Sequence, residues 1–271
     1  MTLIFDSTEA GQPADAGTVR PITVDDIRSS LRAGLQDFMT MPTHVVFLVL
    51  IYPIIGVLIA RITMDSDLLP LAYPLAAGFA LLGPFAALGM YELSRRREHG
   101  LAPTWRHAFD ALKSPAWPAI AAVGCVQLVI FLAWVATASM LYAGLAGDLH
   151  PRSITDLLAF ALTTPAGWTL VVLGNGLGFL FAALSFTIGV ISLPLLLDRG
   201  GSAVAAMKTS IRAVQASPRP MALWGLTVAV ALFLGSLPAF VGLAIVLPIL
   251  GHATWHLYRK AVVPTGPDLR G

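Results

Sequence analysis

Long apolar stretches alternate with short polar, basic stretches along most of the chain. Crossing the hydrocarbon core of a bilayer takes about 20 mostly apolar residues in a helix, and six stretches approach that length. The pattern therefore predicts an all-α integral membrane protein with six transmembrane helices. Their approximate bounds are 44–62, 71–93, 118–142, 168–197, 221–234 and 237–257.

The fourth and fifth predicted spans depart from the ordinary length. Span four is longer than a crossing requires, so we expect it to tilt or to project beyond the bilayer. Span five is short, and an uncharged turn, Gly235-Ser236-Leu237-Pro238, joins it to span six. The last pair is interpreted as two full crossings. The alternative is a single re-entrant hairpin, whose irregular backbone would need protein or water around it.

Lysine and arginine are concentrated in alternate loops. All of the 17 basic residues except Arg61 and Arg152 lie before span one, between spans two and three, between spans four and five, or after span six. Because cytoplasmic loops are enriched in Lys and Arg, both termini are predicted to be cytoplasmic. The basic residues expected at the cytoplasmic ends of spans two and six are Arg95, Arg96, Arg97, Arg259 and Lys260.

The segments outside the spans have distinct predicted roles. Residues 1–20 lack the basic and apolar regions of a signal peptide, so they are predicted to be a disordered cytoplasmic N-terminus. The six-span membrane domain then covers 21–262, and 263–271 form a cytoplasmic tail. In the long external loop, the run Ser153-Ile154-Thr155-Asp156 is a capping pattern that predicts a short helix on the outer face.

A short amphipathic stretch that ends at a proline precedes each odd-numbered span. In the first and third stretches, apolar residues lie 4, 7 and 11 positions before the proline, and the middle stretch is shorter and one residue out of register. We interpret them as three interfacial helices on the cytoplasmic leaflet, where anionic lipid attracts basic residues. The stretches are 27–38 before Pro42, 105–112 before Pro115 and 204–214 before Pro218.

Two further segments match each other across the chain. GPFAALGMYELSRR (83–96) and LPILGHATWHLYRK (247–260) share a proline, an aromatic residue, a leucine and a basic pair in register. Together with the interfacial helices, this match predicts a threefold repeat of interfacial helix plus transmembrane hairpin. The alternative is coincidence, because amphipathic stretches commonly precede spans.

The same segments carry a resemblance. With SLPLLLDR (192–199), they resemble the recurrent motifs of a family of predicted bacterial integral membrane proteins that has no assigned function. The resemblance extends over roughly 20–262, and LPILGHATWHLYRK is its most specific motif. It implies six spans in the bacterial cytoplasmic (inner) membrane, and it brings no catalytic residue with it.

Composition agrees with the membrane assignment and excludes several other classes. The chain is 56% hydrophobic and only 12% charged, about half the charged fraction of a soluble domain. A net charge of +2 is too small to indicate nucleic-acid binding. Cys125 is the only cysteine, so no intrachain disulfide is expected.

Polar residues within the predicted spans are few. Proton and ion pathways place ionisable groups deep in the bilayer, and their scarcity here argues against ion-coupled transport. Gln127, Asn175, Ser185 and Thr187 are polar and uncharged. They are interpreted either as lining a channel or, more simply, as satisfying one another between helices.

The candidate functional cluster consists of Glu92, His252 and His256. The two histidines are four residues apart, on one helix face, and Glu92 aligns with His256 in the repeat. We expect Glu92 and His256 to form a pH-responsive latch near the headgroups. The alternative is that each reaches water separately and the histidines join an aromatic belt. A metal site needs three or four ligands, and no third is visible. Neither a metal nor a cofactor is therefore predicted, and no catalytic arrangement is found.

A stripe of small residues runs along span four. Small residues let helices approach closely, so this span is predicted to be the central packing helix. The stripe contains Gly174, Gly178, Ala182, Ser185 and Gly189.

Taken together, these features favour a nonenzymatic accessory or scaffold subunit that engages anionic membrane lipids and a protein partner in the membrane. A small-molecule or lipid transporter or channel is the alternative.

Overall fold

The computed structural model describes residues 17–41, 66–79, 87–147, 149, 151, 153–238 and 241–264. Apart from one short strand pairing, the regular structure in these residues is helical, which confirms the predicted all-α class. The α-helices are α1 (Val24–Thr40), α2 (Ala72–Phe79), α3 (Leu88–Glu98), α4 (Trp117–Ala146), α5 (Ile154–Thr163), α6 (Pro165–Gly189), α7 (Ser192–Arg199), α8 (Ala203–Ala216), α9 (Pro218–Ser236) and α10 (Leu243–Ala261). Two 3₁₀ helices cover Ser66–Leu71 and Trp105–Lys113.

Three helical segments in the described part of the chain are long and apolar enough to cross a membrane. They are α4, the segment Pro165–Arg199 that contains α6 and α7, and α9. These segments coincide with predicted spans three, four and five. Predicted span one lies outside the described residues, and span two is described only at its two ends, as α2 and α3. Predicted span six corresponds in position to α10.

The long fourth span is divided by a break between α6 and α7. At this break the Ser210 hydroxyl, which belongs to α8, accepts a hydrogen bond from the Ile191 backbone N at 3.2 Å. The same hydroxyl donates to the Thr187 carbonyl at 2.7 Å. A side chain that inserts into the backbone ladder of a helix is a recognised cause of a sharp bend. The sequence predicted one continuous helix because Ser210 comes from a separate element.

The first surface helix, α1, fully buries only Ile27 of its predicted apolar stripe. Leu35, part of the predicted stripe, is 45% exposed. The buried residues of α1 are Ile27, Ser30, Gly34 and Asp37. A Cβ atom at Gly34 would lie 2.6 Å from the Ala253 backbone N of α10. The small face is buried because only small residues let the two backbones approach this closely.

The other two surface helices bury small residues in the same way. In α8 the buried residues are Ala206, Thr209, Ser210 and Ala213, and in the second 3₁₀ helix they are Ala108 and Ala111. Buried positions lie 5, 8 and 12 residues before the following proline in both α1 and α8. The sets are Asp37, Gly34 and Ser30 before Pro42, and Ala213, Ser210 and Ala206 before Pro218.

Each surface helix packs on one or two of the other helices. α1 packs chiefly on α10, the second 3₁₀ helix packs on α3, and α8 packs on α6 and α7. Among the largest fully buried side chains are Tyr91 of α3 and Trp255 and Tyr258 of α10. The core of the described residues is thus concentrated where α3, α7 and α10 meet.

The two ends of the described chain pair with each other. Strand β1 (Thr18–Val19) is antiparallel to β2 (Val262–Val263), and the Arg20 backbone N donates to the Ala261 carbonyl at 2.8 Å. Gly17 to Arg20 therefore form ordered structure, although the sequence assigned residues 1–20 to a disordered lead-in. No local pattern predicts this strand, because its partner lies more than 240 residues away.

Side-chain caps begin several of the helices. The Thr23 hydroxyl accepts from the Asp26 backbone N at 3.2 Å in a capping box, and Ser202 caps α8 in the same way through Ala205. The predicted helix in the long loop is α5, whose cap Ser153 accepts from the Asp156 backbone N. Side-chain oxygens at these positions satisfy backbone donors that a helix start leaves unpaired.

Candidate functional site

A buried carboxylate, Asp37, lies at the centre of the polar contacts between α1, α3 and α10. It is 3% exposed and belongs to the last turn of α1. Its Oδ2 atom accepts a hydrogen bond from the His256 Nε2 at 2.9 Å and from the Ser94 hydroxyl at 2.5 Å. Its Oδ1 atom forms an ion pair with Arg97. Three helices are therefore joined through one side chain.

The electrostatics of Asp37 follow from these partners. Burial by itself raises the pKa of a carboxyl group, because it disfavours the charged form. The hydrogen bonds from His256 and Ser94 outweigh burial and hold the pKa of Asp37 below its ordinary value. The carboxylate is thus ionised at neutral pH.

The hydrogen-bond order assigns the proton on His252. An ionised carboxylate only accepts hydrogen bonds, so the single hydroxyl proton of Ser94 points to Asp37. The His252 Nδ1 atom, 2.7 Å from the Ser94 Oγ, must then carry a proton and donate it to that oxygen. The Nε2 atom of His252 is buried and has no hydrogen-bond partner among the described residues.

The predicted pairing between Glu92 and His256 is not found. The carboxylate of Glu92, which is 2% exposed, binds Arg95 at 2.8 and 3.0 Å and Arg96 at 2.7 Å, whereas His256 binds Asp37. Residues three and four apart on one helix are neighbours, so Arg95 and Arg96 satisfy Glu92 within α3. Equal depth in the repeat was not enough to bring Glu92 and His256 together.

The basic residues expected at the ends of spans two and six all have partners. Arg95 and Arg96 share Glu92, and Arg97 binds Asp37. Arg259 bridges Glu98 at 2.8 Å and Asp198 at 3.1 Å. Lys260 donates to the Asp26 carbonyl at 3.2 Å and to the Ser29 hydroxyl. We call this set of paired charges the ionic layer; it comprises Asp37, Glu92, Arg95, Arg96, Arg97, Glu98, Asp110, Asp198 and Arg259.

Aromatic residues extend the ionic layer into the core. The Tyr258 hydroxyl donates to Asp198 at 2.7 Å, and the Trp255 Nε1 donates to Glu98 at 3.1 Å. The rings of Trp255 and Tyr258 pack on each other with centroids 5.5 Å apart. Carboxylates from α3 and α7 are thereby bound to α10, so the helix ends are locked as one unit.

The chemistry open to this cluster is limited by its order and its burial. Ser94 stands between the carboxylate and the histidine, whereas in a hydrolase triad the histidine stands between the other two. Ser94 is also only 1% exposed, so a substrate would not reach its hydroxyl. Among the described residues, no group of three potential ligands has an arrangement that could hold a metal ion.

The polar residues of the long apolar helices bind each other or their own helix. Gln127 of α4 and Ser185 of α6 form reciprocal hydrogen bonds at 2.9 and 3.1 Å. Asn175 donates to the carbonyl of Val171 and accepts from the Tyr73 hydroxyl at 2.8 Å. Thr187 donates to the carbonyl four residues before it. Gln127 and Ser185 thus satisfy each other between helices, as the simpler sequence interpretation expects, whereas Asn175 and Thr187 do not bind the other residues of that set.

The small-residue stripe of α6 is only partly a packing surface. A Cβ atom at Gly178 would lie 3.0 Å from the Trp134 ring of α4, and one at Gly174 would lie 3.8 Å from Leu141. Ser185 and Gly189 are buried, whereas Ala182 is exposed. Close approach to α4 is thus concentrated at Gly178 and Ser185.

Sequence reasoning missed Asp37 and Ser94, and it named Arg97 only as a basic residue at the end of a span. It placed Asp37 on the polar side of an interfacial helix, where a carboxylate would be solvated. The signal that would have found it is the spacing Ser30, Gly34, Asp37, which aligns an acidic residue with a small-residue face. A carboxylate on a face that packs against another helix needs partners.

The comparisons with known proteins bear on the class of the chain. Residues 72–198 match a family model described as "Predicted integral membrane protein (DUF2189)". The resemblance to an uncharacterised family of predicted integral membrane proteins is confirmed.

The matched segment contains GPFAALGMYELSRR, but it is shorter than the expected 20–262. It does not include LPILGHATWHLYRK, the motif considered most specific. Comparison with the curated proteins and with the solved structures gave no match.

Proposed function

We propose that this protein is a nonenzymatic accessory or scaffold subunit of the bacterial inner membrane, with six spans and both termini in the cytoplasm. The observation that carries the proposal is the ionic layer. Its charges join helices from both ends of the chain, and the single side chain of Asp37 links α1 to both α3 and α10. Charges engaged in this way stabilise a rigid surface that another protein can recognise.

The packing order supports the threefold repeat. Each surface helix packs on the end of the hairpin that belongs to another unit: α1 on α10, the second 3₁₀ helix on α3, and α8 on α6 and α7. In terms of units, the first packs on the third, the second on the first, and the third on the second. Such an order closes a ring, and the shared register of buried small residues in α1 and α8 is what a repeat requires.

The proposed orientation rests on the uneven distribution of basic residues. Reporter fusions after Lys113, Arg212 and Lys260 are expected to indicate the cytoplasm, and a fusion near Asp148 is expected to indicate the external side. A cytoplasmic signal near Asp148 would show that the orientation is wrong.

The scaffold role is tested by what copurifies. Gentle detergent extraction followed by mass spectrometry is expected to recover a membrane protein at a constant ratio to this chain. Asp37→Asn loosens α1 from α10, so it should reduce recovery of that partner. Asp25→Asn, on the same helix but in an exposed pair with Arg28, should leave the recovery unchanged.

The transporter alternative makes the opposite prediction. Purified protein in vesicles would carry a solute with saturable kinetics, and no protein would copurify at a constant ratio. That pair of results would contradict the scaffold proposal.

A further inference from the structure

The third surface helix carries cations that have no counter-charge. Lys208 and Arg212 are exposed on α8, and Arg219 is exposed in the first turn of α9. Among the described residues, none of the three forms an ion pair. The sequence has no Asp or Glu between Arg199 and Asp268. Asp198, on neighbouring α7, is already bound to Tyr258 and Arg259.

This situation differs from that of the other basic regions. Arg95 and Arg96 line an open depression of about 280 Å³ beside His99 and Leu101. Both arginines are bound to Glu92, and Arg96 also pairs with Asp110. An anion at that depression would compete with two carboxylates. Among the described residues, an anion beside α8 would meet no competing carboxylate.

The position of α8 in the fold places these cations near the membrane surface. A single residue, Ser217, separates α8 from α9, which is apolar and long enough to span a bilayer. Arg219 therefore lies at the end of a span, where headgroups are found. Val204, Lys208 and Arg212 are spaced four residues apart, so they share one side of α8, and Val204 is 56% exposed. An apolar contact beside two cations is typical of helices that lie in the interface.

We propose that Lys208, Arg212 and Arg219 form a binding surface for anionic phospholipid headgroups. The cations attract the headgroup phosphates, and Val204 contacts the start of the acyl chains. An acidic protein segment offers the same charge, but it does not explain the apolar residue or the one-residue connection to a span. The inference rests on the cytoplasmic membrane placement proposed above.

The test compares two double variants that remove the same charge. Lys208→Gln with Arg212→Gln removes one lysine and one arginine from the proposed surface. Arg28→Gln with Lys113→Gln removes the same pair from exposed positions where each cation already has a carboxylate. Each full-length protein is equilibrated with vesicles of equimolar phosphatidylglycerol and phosphatidylcholine, extracted gently, and its retained lipids are measured by native mass spectrometry.

The wild type is expected to be enriched in phosphatidylglycerol. A cation at an anionic surface strengthens binding about fivefold, so the α8 variant should lose enrichment by about tenfold or more. The Arg28 and Lys113 variant should keep most of it. Lys208→Arg with Arg212→Lys retains both charges and should bind like the wild type, which separates lost charge from lost folding. High salt should weaken the wild-type enrichment.

Three results would overturn the proposal. One is equal enrichment in the wild type and the α8 variant, and another is an equal loss in both double variants. The third is an acidic protein that is lost from the α8 variant while lipid enrichment is unchanged. A reporter after Arg212 that indicates the external side would refute the proposed cytoplasmic placement of α8. If that reporter indicates the cytoplasm but the wild type is not enriched in phosphatidylglycerol, the lipid-binding surface alone is refuted.

Discussion

The surface helices α1 and α8 occupy equivalent positions before a proline but are held by different chemistry. Both bury small residues 5, 8 and 12 positions before that proline. At the fifth position α1 has Asp37, which binds Ser94, Arg97 and His256. At the same position α8 has Ala213, which is 1% exposed and lies among apolar neighbours.

The difference shows that the same spacing of buried small residues can hold a surface helix either through charge or through packing. In α1, the carboxylate joins the surface helix to α3 and α10 through charge. In α8, the Ser210 hydroxyl enters the break between α6 and α7, and the rest of the contact is packing. Because α8 contributes no charge to the ionic layer, its cations remain available on the exposed side of the helix to bind an anion.

The largest loss of stability is expected when the buried carboxylate of α1 is introduced at the equivalent position of α8. Ala213→Asp would bury a carboxylate with no cation to receive it, and we expect a loss of about 3 to 5 kcal/mol in stability. The measurement is folded yield and thermal unfolding in detergent. Gln215→Asp, exposed on the same helix, is the control and should change little. If Ala213→Asp and Gln215→Asp lose the same stability, burial of the carboxylate is not the cause of the loss.

Removing the carboxylate from α1 should have the next largest effect. Asp37→Asn leaves Arg97 and His256 without their anion, at an expected cost of about 2 to 4 kcal/mol, since both are partly exposed and screened. His256→Gln combined with Asp37→Asn should show a coupling energy above about 1 kcal/mol at pH 6. Additive effects of the two substitutions would mean that the Asp37 to His256 contact contributes no stability.

Gly34 tests whether backbone approach is as important as charge in α1. A methyl group at this position would collide with the Ala253 backbone, so Gly34→Ala should destabilise by about 1 to 3 kcal/mol despite the better helix propensity of alanine. Gly176→Ala is the matched control, because a Cβ there meets no atom within 4 Å. It should be neutral or slightly stabilising. If Gly34→Ala leaves the stability unchanged, the backbones of α1 and α10 are not in close contact at this position.

The smallest effect concerns pH. The pKa of Asp37 is lowered in the fold, so its stabilising contribution is complete above its ordinary pKa of about 4 and is lost as the pH falls through the lower folded value. The difference in melting temperature between the wild type and Asp37→Asn should therefore be constant from pH 7 to pH 5 and should narrow below about pH 4. If the difference in melting temperature is already smaller at pH 6 than at pH 7, the pH dependence comes from a group other than Asp37.

The candidate site was predictable only in part. His256 was identified because it lies near the end of an apolar helix, where an ionisable residue stands out. Its partner was assigned to Glu92 from the repeat, yet Glu92 is satisfied by Arg95 and Arg96 within its own helix. The actual partner, Asp37, lies 219 residues away in the sequence, and nothing in its local pattern distinguishes it from a solvated carboxylate.

Properties that depend on local composition and periodicity were determined by the sequence alone. They include the membrane class, the long apolar helices α4, α6 and α9, and the capped start of α5. These follow because solvation and helix capping act within a few turns of chain. Only the tertiary structure decided which side of α1 is buried, where span four is interrupted, and which carboxylate binds His256. Each of these depends on an atom from a distant element, such as the Ala253 backbone, the Ser210 hydroxyl or the Asp37 carboxylate, and local periodicity carries no information about which distant atoms meet.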